Sequence, residues 1–489
     1  MDGSPAAVAE THTGIVFFAG DRAYKMKKPV DLGFVDFRTR EARERACHEE
    51  LRLNRRFSPD VYLGVADVHG PDGEPCDHLL VMRRLPAERR LSTLAAAGAP
   101  VDDALRSIAR LLAAWHARAP RAAGTRDALR ARWTAGFDQV RPFHGAAIDG
   151  VEAAEVERLA LRFLAGRADL FAARIADGRV VDGHGDLMAA DVFCLDDGPR
   201  VLDCLEFDAA LRSVDGLDDA AFLAMDLERL GATAAARRFA AWYAEFAADP
   251  APPSLWHHYV AYRAFVRAKV ACLRHAQGAT GAAAEAGALT EVALRHLRAG
   301  AVGLVLVGGP PGTGKSTLAG ALADRLGAVL LSSDRIRKEL AGIAPDASAA
   351  APYGTGLYTP ARTARLYVEL ADRARRLLRL GETVVLDASW TATEHRALLR
   401  DVASQEHADL TELECRAPAR LAAERVRTRP RGASDADPTV AAALTAHADP
   451  WPEATPIDTS GALATTLARA LAAVRPAGPE RPLPHLAAD

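Results

Sequence analysis

GPPGTGKS, residues 309–316, fits the spacing G-x-x-x-x-G-K-[ST]. The apolar run AVGLVLVGG (301–309) leads into it and the helical pattern TLAGALADRL (317–326) follows. A strand, a glycine-rich turn and a helix in that order make a phosphate cradle. Glycines let successive backbone N–H groups curl around anionic oxygens, and the helix N-terminus adds the positive end of its dipole. The expected nucleotide contacts are Gly309, Pro310, Pro311, Gly312, Thr313, Gly314, Lys315, Ser316 and Thr317. Lys315 would place a point charge on the β- and γ-phosphates, and Ser316 a hydroxyl on Mg²⁺.

Downstream, strands and helices alternate to about residue 475, which predicts an α/β P-loop NTPase fold with a parallel sheet. SSDRIRKEL (332–340) puts Asp334 at a strand end, and VVLDAS (384–389) ends a second buried strand on Asp387, a candidate metal ligand. RAPARLAAERVRTR (416–429) sets Arg425 and Arg429 at i and i+4, on one helical face. Two plainer readings compete: Asp334 as a helix N-cap, and the arginines as a solvated face.

The other half turns on HGDLMAADVF, residues 184–193. Kinase-type transfer needs a lysine on the phosphates, an acid beside the acceptor hydroxyl, and side chains that hold metal. Asp186 supplies the acid. Asp203, in VLDCLEFD (201–208), supplies a magnesium ligand, and Lys25, on the strand AYK, fits the phosphate lysine with Glu49 or Glu50 as its partner. Lys27 shares the strand face with Lys25. The chain has six lysines against 55 arginines, so a retained lysine is a better candidate for a task that needs a compact ammonium. Where the kinase template has asparagine, this chain has Asp191, which still ligates a hard cation through oxygen but with a full charge. The plain alternative is a polar turn before a strand.

The Walker loop, the D-x-x-R of Asp334 to Arg337, the LDAS strand and the paired arginines resemble the P-loop kinases of small molecules and of polynucleotide 5′ ends, over about 300–455. That resemblance implies Asp334 as general base, Arg337 on the acceptor, and Arg425 and Arg429 as lid residues. ETHTG, AYKMKKPVDLGFVDF, EELRLNRR, HGDL and LDCLEFD resemble the aminoglycoside phosphotransferase and choline kinase group, over nearly all of 10–275. More closely still, the chain resembles bacterial proteins that fuse such a domain to an AAA-type P-loop kinase. The resemblance implies a protein-kinase-like α+β bilobal fold, ATP and Mg²⁺ as cofactors, and small hydroxylated acceptors. Asp191, Met188 in place of a more usual polar residue, and the lack of a GxGxxG before Lys25 are the departures.

These readings divide the chain at 297/298, with a low-complexity stretch at 276–289 that is either a linker or an Ala-rich helix end, and a loosely ordered tail over 476–489. Helical stripes are expected at Leu105, Ile108, Leu112 and Trp115, over 153–173, 218–247 and 255–276. Asp208, Asp215, Asp218 and Asp219 could make an acidic pocket for a cationic acceptor. Arg263, Arg267 and Arg274 share one helical face and point instead to an anionic one, unless they simply pair with nearby acids on the surface. A net charge of −3, 49% apolar and 26% charged residues give no global reason to expect nucleic acid, and 432–458 is acidic rather than a basic groove. Cys47, Cys76, Cys194, Cys204, Cys272 and Cys415 form no zinc or disulfide pattern. No secretory signal and no membrane-length apolar run is visible, so the expected location is the cytoplasm. A nucleotide-binding N-terminal module that regulates the C-terminal kinase is the competing functional class.

Overall fold

The computed structural model describes residues 7–10, 13–31, 35–344, 347, 354–428 and 438–474. The tail expected over 476–489 and Arg429 lie outside these residues. The chain divides into two compact units. The first holds residues up to 156, 172–251 and 258–296; the second holds 297 onward together with 157–171 and 252–257. Two short segments from within the expected N-terminal domain therefore count with the second unit. Arg167, almost wholly buried, donates to the carbonyl of Glu406 at 2.8 Å within it.

The first unit opens with an antiparallel sheet of β1 (Ala7–Glu10), β2 (Gly14–Ala19), β3 (Arg22–Lys27), β4 (Tyr62–His69) and β5 (Pro75–Arg83), in the order β1-β2-β3-β5-β4. Branched and aromatic residues of β2 suit a pleated, half-covered surface. The helix Arg40–Asn54 packs on this sheet. Thr39 caps it by accepting from the Ala42 N–H, and Glu41 and Arg52 match the two ends of its dipole. Its inward face carries Cys47, Glu50, Leu53 and Asn54. A second, mainly helical part contains Asp102–Arg118, Gly216–Arg229, Thr233–Phe246 and Pro253–Ala276. Between them run the short strands β6 (Val180–Asp182), β7 (Val192–Leu195), β8 (Gly198–Val201) and β9 (Ser213–Asp215). A sheet part and a helical part with the HGD turn between them is the bilobal kinase-like arrangement expected.

Two sequence expectations need correction, and one open alternative is decided. The stripe over 153–173 is two helices, Gly150–Gly166 and Ala168–Ala176. The stripe over 218–247 breaks after Arg229, and Gly231 turns the chain at φ 81°. The alanine-rich stretch at 276–289 is largely the start of a helix, Ala282–Ala299, whose Ala282, Ala286 and Leu289 are buried. Alanine's high helix propensity explains why low complexity here means order.

The second unit is built on a parallel sheet of β10 (Gly303–Gly308), β11 (Val329–Ser332), β12 (Val384–Asp387), β13 (Asp409–Arg416) and β14 (Thr455–Asp458), in the order β11-β12-β10-β13-β14. β10 and β12 are buried throughout, apart from partly covered Gly303, as strands with both faces covered must be. Asp387 ends β12 opposite Val307 of β10, so the strand end carrying the acid lies beside the strand that feeds the phosphate loop.

Candidate active sites

In the second unit the loop's shape depends on its glycines. Gly312 sits at φ 83°, and a Cβ there would meet the Ala422 carbonyl oxygen at 2.2 Å. Gly314 precedes the helix Lys315–Leu326 at φ 85°. Thr313 is turned inward: its hydroxyl and its N–H both donate to the Pro310 carbonyl, at 2.8 and 3.3 Å. Its side chain thus braces the loop rather than facing a ligand. Asp387 is buried, and its carboxyl is pushed up by that burial, opposed by the Lys315 charge and by a hydrogen bond from Ser316. The other oxygen, Oδ1, is buried with no partner. The two candidate metal ligands, Ser316 and Asp387, are therefore adjacent, with an acceptor atom left over.

Asp334 lies one residue inside the helix Ser333–Leu340, in its first turn, and Ser332 takes the N-cap position, so the N-cap reading of Asp334 does not hold. Arg337 extends over the Tyr358 ring, 4.8 Å from its centre, and donates to the Leu357 carbonyl and the Thr363 hydroxyl. Arg425 donates to the Thr459 carbonyl at 3.0 Å, and its guanidinium lies 3.6 Å from where a Cβ on Gly314 would stand. It flanks the loop.

In the first unit the candidate groups arrive from far apart in the chain. The Lys25 ammonium donates to Glu50 at 2.8 Å and to Asp203 at 2.7 Å. Burial alone would lower its pKa; Asp203 and Glu50 overcome that and hold it well above the ordinary range. Of the two glutamates considered, Glu49 turns outward to Arg52, at 2.6 and 2.8 Å. Lys27 is more deeply buried and is shared between Glu50, at 2.6 Å, and Glu206. Lys25 is thus the lysine that reaches Asp203, while Lys27 braces Glu50.

Asp203 adopts φ 61°, a left-handed conformation that costs roughly 1–3 kcal/mol for such a residue. Its N–H donates to the Tyr62 hydroxyl at 3.1 Å, and that of Cys204 to the Asn54 side chain at 2.8 Å. Both anchors hold the strained turn. The Lys25 charge keeps the Asp203 carboxyl below its ordinary range. Asp191 behaves oppositely: burial, then the charges of Asp203 and Asp186, raise it well above the usual range. Asp186 is raised by burial as well.

Sequence reasoning missed what holds the HGD turn. Asp219 accepts from the His184 N–H at 2.7 Å and the Gly185 N–H at 2.8 Å, and lies 3.1 Å from His116 Nε2. Two turns later, Asp226 accepts from the Ala189 N–H at 2.9 Å. The spacing of seven puts both on one face of Gly216–Arg229, and that face clasps the loop. The i, i+7 pair of acids among the alanines and leucines of a mostly buried helix was the available signal. It also overturns the acidic pocket. Asp208 caps the helix Ala209–Arg212, Asp215 binds Arg174 at 2.6 and 2.7 Å, and Asp218 binds Arg263 at 2.7 and 2.9 Å.

Among the described residues, no group of three or more His, Cys, Asp or Glu side chains is arranged to hold a metal alone. The donor sets still suit Mg²⁺, which typically takes one or two carboxylates and completes its octahedron with phosphate oxygens and water. Asp191 beside Asp203, and Asp387 beside Ser316, are such sets of hard oxygen donors.

A family model described as an AAA domain matches residues 304–450. An uncharacterized protein of Mycobacterium tuberculosis is 43% identical over 459 residues, which cover 93% of this chain and 92% of that protein. Among solved structures, a choline/ethanolamine kinase family protein from Mesorhizobium loti covers 60% of this chain and 93% of its own, at 14% identity and a TM-score of 0.38. A gluconokinase from Sinorhizobium meliloti covers 35% of this chain and 91% of its own, at 21% identity and a TM-score of 0.27. With the mycobacterial protein matched along nearly its whole length at 43% identity, the chain belongs to that protein's family, and its residues 304–450 carry the match to the AAA domain.

Proposed function

We propose that both units are ATP-dependent phosphotransferases, each moving the γ-phosphoryl group to the hydroxyl of a small molecule. The observation that carries this reading is the meeting of Lys25, Glu50 and Asp203, from three separate segments, beside the HGD loop. A buried ion pair is a weak device for stability alone, and a strained aspartate adds cost. The cluster makes better sense as a phosphate and metal clamp.

In the first unit Lys25 would hold the nucleotide phosphates, with Glu50 fixing its direction. Asp186, with its raised pKa, would orient the acceptor hydroxyl and take its proton as the phosphorus–oxygen bond forms. Asp191 and Asp203 would hold Mg²⁺, and Mg²⁺, when bound, supplies the charge neutralisation that γ-phosphoryl transfer needs. Asp191 meets this task as a carboxylate whose repulsion from Asp203 a cation would relieve. In the second unit the loop and Lys315 would hold the phosphates, Ser316 and Asp387 the metal, Asp334 the hydroxyl, Arg337 the acceptor and Arg425 the transferring group. The domain limits 1–297 and 298–475, and a cytoplasmic setting, belong to the same reading. Among the described residues no helix is long and apolar enough to cross a membrane.

The test uses the whole chain, because residues 157–171 and 252–257 count with the second unit and a cut at 297/298 would strand them. The full-length protein, Asp186→Asn, Lys315→Ala and the double variant are incubated with γ-labelled ATP, Mg²⁺ and a pool of hydroxylated metabolites. Each single variant is expected to lose its own labelled product, Asp186→Asn by roughly 10²–10⁴-fold. Labelling that ignores Asp186→Asn but vanishes with Lys315→Ala would instead make the first unit a nucleotide-binding regulatory module.

A further inference from the structure

Taking the first unit as a phosphotransferase, the charges around Asp186 bear on what its acceptor looks like. The helix Pro253–Ala276 is locked to the HGD turn by Arg263. Two of its guanidinium nitrogens fork onto Asp218 at 2.7 and 2.9 Å, and the third donates to the Gly185 carbonyl at 3.1 Å. Arg267 follows one turn later on the same face. Of the charges that stabilise ionised Asp186, that of Arg267 is the strongest, ahead of His184 and Arg263. Arg274, one further residue of this face, is spent on Glu285 at 2.9 Å. Arg267 is half-buried and makes no ion pair or hydrogen bond among the described residues.

Asp186 and the candidate metal ligands Asp191 and Asp203 aside, four acids of the surrounding segments are engaged. Glu206 is bound to Lys27, Asp215 to Arg174 and Asp218 to Arg263, while Asp219 is consumed by His116 and two backbone N–H groups. Arg132 adds a further positive charge close to Asp218. A quaternary ammonium or aminosugar would need unneutralised carboxylates here, and would meet a spare guanidinium. A planar guanidinium with free N–H groups matches an oxyanion.

We infer that the hydroxylated acceptor of the first unit carries an oxyanion, carboxylate or phosphate, and that Arg267 receives it beside Asp186. Arg267 is thus a specificity-determining residue.

The experiment uses full-length protein carrying Lys315→Ala, which silences the second unit, with γ-labelled ATP and Mg²⁺. Three acceptor panels are compared: anionic (glycerate, gluconate, glycerol 3-phosphate, ribose 5-phosphate), cationic (choline, ethanolamine, kanamycin) and neutral (glycerol, ribose). Asp186-dependent transfer is expected in the anionic panel, and its carboxylate and phosphate members tell the two oxyanions apart. Arg267→Ala should raise KM for that acceptor at least about tenfold and leave KM for ATP unchanged, with partial recovery in Arg267→Lys. Transfer confined to the cationic or neutral panel, or an acceptor KM indifferent to Arg267→Ala, overturns the inference and leaves the phosphotransferase reading intact. If no panel is labelled, and ATP turnover is the same with and without Asp186→Asn, the phosphotransferase reading falls and takes the inference with it.

Discussion

The two candidate sites meet the same ligand chemistry with opposite materials. On the proposed reading the second unit would hold phosphate with backbone, in one stretch from Gly309 to Thr317 whose shape is fixed by glycine. The first would hold it with side chains, and its lysine and aspartate stand 178 residues apart in the chain. A backbone cradle is local and tolerates little change in shape, but it is indifferent to most of the surrounding charge. A side-chain clamp depends on tertiary packing and on a balance among Lys25, Lys27, Glu50, Asp186, Asp191 and Asp203. Shape should therefore break the second site first, and the first site should fail through its scaffold or its charges.

The largest effect expected is from Gly312→Ala. The added Cβ faces the Ala422 carbonyl oxygen at 2.2 Å and needs φ 83°, so clash and backbone strain add. Lys315-dependent product should fall at least about a hundredfold, with a stability loss of roughly 2–4 kcal/mol, while Asp186-dependent product persists. Gly320→Ala is the control, since it lies in the helix Lys315–Leu326 that follows the loop, with open space at its Cβ position. It should be neutral or stabilise by about 0.5–1 kcal/mol. Equal damage from both substitutions, by product assay and thermal melt, would refute the shape argument.

A smaller effect, and a different kind, is expected from Asp219→Asn in the first unit. The change keeps the size but sets an amide donor against the His184 or Gly185 N–H, in a fully buried position. Burial would raise the Asp219 pKa, yet His116 and the His184 N–H hold it well below the ordinary carboxylate range, so this carboxylate is charged and in use. Its loss should cost about 2–4 kcal/mol and lower kcat of Asp186-dependent transfer by roughly 10–100-fold. KM for ATP should change little, because Asp219 touches the HGD turn and not Lys25. A rise in KM for ATP with kcat preserved would remove Asp219 from its positioning role.

The same contrast explains what could be read in the sequence. The phosphate loop was legible because its glycines, lysine and serine are contiguous and each has a local reason. Lys25 was legible through the scarcity of lysine and Asp203 through its motif, whereas choosing Glu50 over Glu49 needed the phase of Arg40–Asn54 against the sheet. The acids of 208–219 were misjudged because their partners lie elsewhere, Arg174 and Arg263 for two of them and the HGD backbone for a third. Helix limits failed where one residue decides, as at Gly231. Arg267 illustrates the reverse: its helical face was visible, but its freedom from a carboxylate could be known only once its neighbours were placed.

The smallest effect expected concerns a histidine outside both sites. His258 is buried in the first unit, where its Nε2 accepts from the Trp133 indole N–H at 3.2 Å. Because indole is only a donor, Nε2 must be unprotonated, and burial lowers the His258 pKa to about 3. An unfolded histidine titrates near about 6.5, so between these values the unfolded chain takes up a proton that the folded one refuses. The stabilising contribution is complete above about pH 6.5 and is lost as pH falls toward 3, at up to about 1.4 kcal/mol per unit. His258→Phe removes that titration and one hydrogen bond. It should lower stability by about 1–2 kcal/mol at pH 8, and its melting temperature should then fall less than that of the unsubstituted protein between pH 7 and 5. Neither product should be lost at pH 8, since the His258 ring packs against Trp133 and Tyr259. Parallel melting curves for the two proteins over that interval would mean that His258 takes up its proton in the folded state as readily as in the unfolded one.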